Sequence, residues 1–436
     1  MSGWEALIQE TRQVLGALPD RRTGDNTQYT MEDIGVSAFS IFFTQSPSFL
    51  TYQRTMQQAK GSSNALSLFQ IKQIPSDNHI RQTLDPVLPE KLFPLYDQVF
   101  EALRKKEVLE SYRAVHQTIP IALDGTWYNS SQKLHCQNCS CMEHKNGEKT
   151  YYHSAITPVI VAPGRPHAIS LRPEFIIPQD GHTKQDCEIA AAKRWLEKNA
   201  SLYGSLKATL LGDDIYAHQP FCRRTLLYGF DFIFVCKPDS HKTLYDWVQL
   251  LQLHQDLHIR KTRVRKGAKW EQHTYRYANQ VPLAEGQDAL KVNWCELLVT
   301  DQKGEILYRN GFITDFKITE HNVEMIVATA RARWKIENEN NNTLKTKGYH
   351  LEHNFGHGKN HLASFLAALN ILAFLYHAFL SFTDENYRLI RAKLPTRQTF
   401  FDDLRALTRY ILFANWDALL DFMMAGLEIG PHAKKT

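Results

Sequence analysis

Three carboxylates stand where chemistry would use them: Asp124, Asp213 and Glu337. Asp124 closes the apolar run IPIAL and is followed by Gly125 and Thr126, and Asp213 follows the run ATLLG. An acid set where a buried strand emerges is held on a rigid element, which is how metal-binding carboxylates are usually positioned. Glu337 lies in RARWKIENENNNTLKTKGYHLEHNFGHGK, residues 331–359, close to Arg331, Arg333 and Lys335. An acid among so many bases is either one half of an ion-paired surface helix or a carboxylate held ready for a metal and a polyanion. Hard oxygen donors of this kind suit Mg²⁺, with Mn²⁺ able to take its place.

A second constellation is HCQNCSCMEH, in which Cys136-x2-Cys139-x-Cys141-x2-His144 has the density expected of tetrahedral zinc. His135 or His153 could replace one ligand, and unliganded thiols or a redox pair are the alternatives. The run Gly356-His357-Gly358-Lys359 resembles the end of a phosphate loop. That pattern needs a Gly where His353 stands and a Ser or Thr where Asn360 stands, so ATP binding is not expected. With Lys345, Lys347 and Lys359 beside it, this His-rich stretch reads as a phosphate-contacting loop.

Those residues need elements to hold them. Residues 1–117 read as helical, with helices over 31–44, 47–59 and 88–109 and a turn at 75–78. Within this N-terminal domain, His79, Arg81 and Gln82 could present a DNA-facing helix start, against the plainer reading of a helical cap. Strands are expected over 119–128, 150–161 and 167–171. A helix capped by Thr183 with Asp186 three residues on runs to about 198. A strand over 206–211, a helix over 218–227 and the buried strand 230–238 complete the order. Three strands, helix, strand, helix, strand is a ribonuclease-H-like α/β order over 118–239, a mixed sheet with flanking helices. Residues 240–319 read as a β-rich insertion with a basic edge, IRKTRVRKGAK, in which six bases occur with no acid. Such a run favours contact with nucleic acid, through Arg263, Arg265 and Lys266. Trp270 and Trp294 could stack on a base, although ordinary packing is the plainer reading. A helix over 323–344 then carries Glu337, with Arg333, Glu337 and Asn341 on one face.

With that helix the chain resembles bacterial insertion-sequence transposases of the DDE class, in the group whose third acid lies in a Tyr-x2-Arg-x3-Glu-x6-Lys signature. Arg333-x3-Glu337 matches it, and Trp334 and Ile336 fit the form Arg-Trp-x-Ile-Glu. The insertion also sits where the group carries one. The tyrosine position is Ala330 and Lys345 comes one residue late, departures that touch the DNA-contact roles of those two positions and not Glu337. The resemblance covers about 119–358. It implies that Asp124, Asp213 and Glu337 hold two Mg²⁺ ions for DNA strand cleavage and strand transfer at transposon ends, with Asp214 as runner-up to Asp213. It also implies double-stranded DNA as partner, DNA contacts from Arg333, Lys345, Lys347, His357 and Lys359 over the segment 320–359, and a homodimer when DNA is bound. A ribonuclease-H-like DNA nuclease and a non-catalytic DNA-binding descendant are the alternatives.

Composition reads as that of a folded globular chain and permits a nucleic-acid partner without requiring one. A chain of 436 residues suits two or three domains, and 43% hydrophobic with 22% charged residues excludes a disordered chain. Lys plus Arg number 51 against 46 Asp plus Glu, so the basic clusters matter more than the total. Seven cysteines, three of them crowded into 136–141, fit a reducing compartment. The start MSGWEALIQETRQ has no signal-peptide pattern, and a bacterial cytoplasmic, nucleoid-associated protein is expected. The uncharged run 362–382 reads as a buried core helix within a helical C-terminal region, 360–436, with a helix pair over 400–426. No membrane partner is expected.

Overall fold

A computed structural model describes residues 3–23, 27–178, 184–267 and 269–430. The cap expected at Thr183 lies outside the described residues, as does the side chain of Asp186.

The chain opens with α1 (Gly3–Gly16), α2 (Met31–Phe43), α3 (Phe49–Met56), α4 (Ala59–Phe69), α5 (Asp77–Leu84) and α6 (Phe93–Lys105). The hydroxyls of Thr30, Ser48 and Ser76 accept first-turn N–H groups and so fix the starts of α2, α3 and α5. Next come β1 (Ile119–Ala122), β2 (Gly125–Ser131), β3 (Ser140–Glu143), β4 (Lys149–Ile156), β5 (Val159–Ile160), β6 (Ile169–Ser170) and β7 (Glu174–Ile176). The alternating part continues with α7 (Lys184–Tyr203), β8 (Ala208–Gly212), α8 (Gln219–Leu227) and β9 (Asp231–Val235).

The runs expected as single strands over 119–128 and 150–161 each divide in two. β1 pairs antiparallel with β5, Ile121 opposite Ile160, while the same two chain segments continue as β2 and β4 in a separate small sheet. Pro158, which has no N–H for a ladder, stands at one division, and Leu123-Asp124 at the other. The N–H of Thr157 donates to the carbonyl oxygen of Asp124 at 3.1 Å, which fastens the bend. Asp124 therefore sits where the chain leaves the main sheet.

Among the described residues that main sheet has nine strands. From one edge the order is β6-β5-β1-β8-β9, with β1 antiparallel to β5 and parallel to β8, and β8 parallel to β9. The segment expected as a β-rich insertion contains a helix, α9 (Lys242–Leu253), before β10 (His258–Lys266), β11 (Lys269–Pro282), β12 (Lys291–Thr300) and β13 (Ile306–Thr314). Its strands extend the main sheet, because β13 pairs with β9 and the meander runs outward to β10 at the edge.

Side chains alternate between the two faces of this sheet, as strand geometry requires. Ile119, Ile121, Leu210, Phe232 and Phe234 join the larger core with residues of α7, α8 and α9. Ala122, Leu211, Ile233 and Val235 point the other way and meet Val323, Ile326 and Val327 of α10 (Val323–Arg331). The acid-bearing segment thus starts on the face opposite α7.

The helix expected to run unbroken over 323–344 is interrupted. After α10 come a turn at Ala332-Arg333, a π turn at Ile336–Asn341 and the short α11 (Asn342–Thr346). The π turn coincides with two consecutive asparagines, Asn340 and Asn341, that are both buried. A regular α-helix sends neighbouring side chains about 100° apart, so a widened turn is one way to bury both.

The C-terminal region comprises α12 (Leu362–Thr383), α13 (Glu385–Lys393), α14 (Arg397–Tyr410) and α15 (Trp416–Gly426). α12 is long and apolar enough to cross a membrane, yet 89% of its apolar window is buried inside the protein. It packs against α2, α6 and β6, with Tyr96 Oη donating to the Ala368 carbonyl at 2.6 Å. It is a core helix, as its Ser, Asn and His content predicts.

Candidate active site and Cys/His cluster

Asp124 is partly buried, and its carboxyl is pushed up to about 7. Burial contributes most, then the neighbouring carboxylate of Glu188, while Arg333 opposes and Glu337 and Asp213 push the same way. Acids from α7, the π turn and the end of β8 therefore all bear on Asp124 at the end of β1. The sequence reading brought three of these together and missed Glu188. Its signal was present: on a helix, Glu188 shares the stripe of Ala191, Ala192 and Trp195, and a carboxylate on an apolar stripe calls for an explanation. Glu188 accepts a hydrogen bond from Tyr216 Oη at 2.8 Å and lies against Gly125, where an added Cβ would come within 2.5 Å of its Oε2. Glycine at 125 is what lets the acid of α7 approach the end of β1.

Asp213 follows β8 directly, beside β1 in the parallel pair. Burial raises its carboxyl, opposed by the Ile215 N–H at 3.1 Å and by Arg333. Asp214 is committed elsewhere. Burial would raise it, but hydrogen bonds from His241, Ser240 and the Lys237 N–H outweigh that and hold it below the usual value. This separates the two adjacent aspartates: one faces the acid cluster and the other braces the loop after β9.

Glu337 is half exposed and pairs with Arg333 at 2.9 Å. The same arginine acts on Asp124 and Asp213, so it touches the electrostatics of all three acids. Around them the amide-rich run, which the sequence left without a role, forms a chain of hydrogen bonds. Ser170 Oγ donates to Asn340 Oδ1 at 3.0 Å, Asn340 Nδ2 to Asn341 Oδ1 at 2.9 Å, and Asn341 Nδ2 to Asp124 Oδ2 at 2.9 Å. Thr157 Oγ1 also donates to Asn341 Oδ1, at 2.8 Å. With two donors on its oxygen, the Asn341 amide must turn its NH₂ toward Asp124.

The donor set fits divalent cations. Several carboxylates share a half-buried place, and their mutual repulsion is relieved by protons or by hard cations that take oxygen ligands.

The small sheet carries the second cluster. Cys136 Sγ lies 3.8 Å from Cys139 Sγ and 3.6 Å from His153 Nε2, and Cys139 Sγ lies 3.4 Å from His153 Nε2 and 3.5 Å from His357 Nε2. Two residues of the expected zinc set are elsewhere. Cys141 is exposed on β3, and His144 Nε2 is 2.8 Å from Thr150 Oγ1, because strand alternation in β3 and its turn carry both away from the knuckle. His153, weighed as a substitute, and His357, expected as a DNA contact, take their places. The loop of His357 does not present its backbone to a phosphate either. The Asp85 carboxylate accepts the N–H groups of Lys359, Asn360 and Leu362 at 3.1 to 3.2 Å.

The expected DNA contacts spread over two surfaces. On β10, at the sheet edge, Lys261, Arg263 and Arg265 are exposed on one face, while Arg260 on the other pairs with Glu324 at 2.7 Å. Lys266 pairs with Glu271 at 3.2 Å, and Lys345 with Glu352 at 2.8 Å. Lys347 and Lys359 are exposed. Trp294 is fully buried against Tyr245 and so is a packing residue, whereas Trp270 is 46% exposed beside Arg263. A π turn uses one residue more than an α turn. The seven residues between Glu337 and Lys345 therefore give nearly the rotation that six give in a plain α-helix.

No protein-family model matches the chain, and no curated protein matches it. Among solved structures, the chain is similar to a piggyBac transposase in a synaptic complex with hairpin DNA, seen by cryo-electron microscopy. The alignment covers 98% of this chain and 80% of that one at 10% identity, with a TM-score of 0.41.

Proposed function

We propose that this chain is a DDE-type DNA transposase in which Asp124, Asp213 and Glu337 hold Mg²⁺ for strand cleavage and strand transfer at the ends of an insertion sequence. The observation that carries the reading is the convergence on Asp124: a buried carboxyl at a strand end, pressed by Glu188, Glu337 and Asp213. The strand order β6-β5-β1-β8-β9, antiparallel then parallel, supports a ribonuclease-H-like catalytic core.

Each residue has work to do in such a reaction. Asp124 presents a carboxylate whose Oδ2 is steered by Asn341, and Asp213 presents a second from the adjacent parallel strand. Glu337 would supply the third and is held by its ion pair with Arg333. When bound, the Mg²⁺ pair supplies charge stabilisation for the attacking and leaving oxygens of an in-line displacement. Water adds to phosphorus as the P–O3′ bond breaks, giving a 3′-hydroxyl and a 5′-phosphate. That hydroxyl then attacks a phosphodiester of the second DNA and expels its 3′-oxygen. The exposed bases of β10 offer a phosphate-binding edge.

The test is a joining assay. Purified protein, Mg²⁺ and duplexes taken from the DNA on both sides of its gene should yield a product covalently joined to a target plasmid. Nicking without any joined product would instead indicate a plain nuclease.

A further inference from the structure

We propose that Cys136, Cys139, His153 and His357 together bind one zinc ion, which fastens the loop before α12 to the small sheet. Four ligand atoms from three separate stretches of chain lie within 4.8 Å of one another. A tetrahedron with Zn–S near 2.3 Å and Zn–N near 2.0–2.1 Å has edges of roughly 3.8 Å between sulfurs and roughly 3.5 Å between sulfur and nitrogen. The observed separations are 3.8 Å for the sulfur pair and 3.4, 3.5 and 3.6 Å for three of the four mixed pairs, the fourth lying within 4.8 Å. A disulfide does not explain the pair, since its sulfurs would lie about 2.05 Å apart.

The surroundings also suit a cation. The Cys136 N–H points at Cys139 Sγ, 3.4 Å away. Two thiolates and two neutral imidazoles carry two negative charges, which a divalent ion cancels, so the half-buried site ends neutral. His153 is buried with its ring against Tyr128, and its Nε2 faces both sulfurs. A set of two sulfurs and two nitrogens in tetrahedral array selects zinc over Mg²⁺, which takes oxygen ligands. This ion would be distinct in place and chemistry from those at the carboxylates.

The position gives the ion a structural task. His357 lies in the loop between α11 and α12, and Asp85 already grips the following residues. His153 lies on β4, which pairs with β2, the strand that begins beside Asp124. Binding would therefore tie the loop after the acid-bearing segment to the hairpin that carries Asp124.

The test is elemental analysis of full-length protein purified without added metal. The wild type, Cys141→Ser, His144→Ala and Asp124→Asn should each carry about one zinc per chain, and Cys139→Ser and His357→Ala should carry close to none. Should the last two prove insoluble, Co²⁺ replacement in the wild type gives the reading. The intense visible absorption of tetrahedral cobalt, with thiolate charge-transfer bands, is expected. Wild-type zinc near zero even after growth with added zinc, full zinc in His357→Ala, or an octahedral cobalt spectrum would each overturn the proposal.

Discussion

Asn341 donates its side-chain amide to Asp124 Oδ2 at 2.9 Å, joining the π turn to the end of β1 across 217 residues of sequence. Its own oxygen is held by Asn340 and Thr157, so it can orient the carboxylate without adjusting to it. Groups that orient a metal-binding ligand commonly matter about 10–100-fold in affinity or rate. Asn341→Ala should therefore raise the Mg²⁺ concentration for half-maximal cleavage by about that factor, as a Mg²⁺ titration of cleavage rate will show. An unchanged midpoint would mean that the contact serves only packing.

The acid cluster should also set how stability depends on pH. Asp124 releases its proton near 7 in the folded protein and near 3.8 in its ordinary state. Its contribution is therefore fully present below about 3.8 and is lost as pH rises through about 7. The shift corresponds to roughly 4 kcal/mol. Asp315, pushed up to about 7 by burial and by Asp231, titrates in the same window. The comparison with Asp124→Asn isolates the Asp124 part: metal-free wild type should lose more thermal stability than the variant between pH 5.5 and about 8. Parallel curves would count against the buried acid.

Gly125→Ala probes the approach of Glu188 to the strand. The added Cβ would meet Glu188 Oε2 at 2.5 Å and its Cδ at 2.7 Å. Overpacking of this kind costs about 1–3 kcal/mol. Chemical denaturation should show that loss, and cleavage should fall with it because the displaced strand end carries Asp124.

Much of the frame was legible in the sequence because it rests on local signals. The runs ending in Asp124 and Asp213 form β1 and β8 as their apolar content predicts, and the alternation of β and α segments gives the parallel pairs. What was not legible depends on contacts between distant segments. Nothing local to Asn340 and Asn341 marks the π turn, whose burial involves Ser170 and Thr157. The division of the first hairpin between two sheets requires a bend that only Pro158 hints at. In the Cys/His cluster the spacing of Cys136 and Cys139 was informative, while Cys141 and His144 misled because nearness in sequence is not nearness across a hairpin. His357 comes from 218 residues beyond Cys139.

On the proposed DNA-binding edge, Arg263 and Arg265 share the exposed face of β10. Neutralising both by substitution with Gln should weaken DNA binding at low salt. It should also reduce the slope of log affinity against log salt by roughly 2, about one for each phosphate contact removed. Binding measured by fluorescence anisotropy over a salt series checks this, and an unchanged slope would remove β10 from the interface.

The central claim is that Asp124, Asp213 and Glu337 act together as the cation-holding set for DNA cleavage. The most direct measurement is the Mg²⁺-dependent cleavage of a duplex taken from the DNA that flanks the gene, with Glu337→Ala beside the wild type and binding to the same duplex measured in parallel. The account predicts that cleavage is abolished while DNA binding is largely retained. Cleavage by Glu337→Ala at the wild-type rate would contradict it.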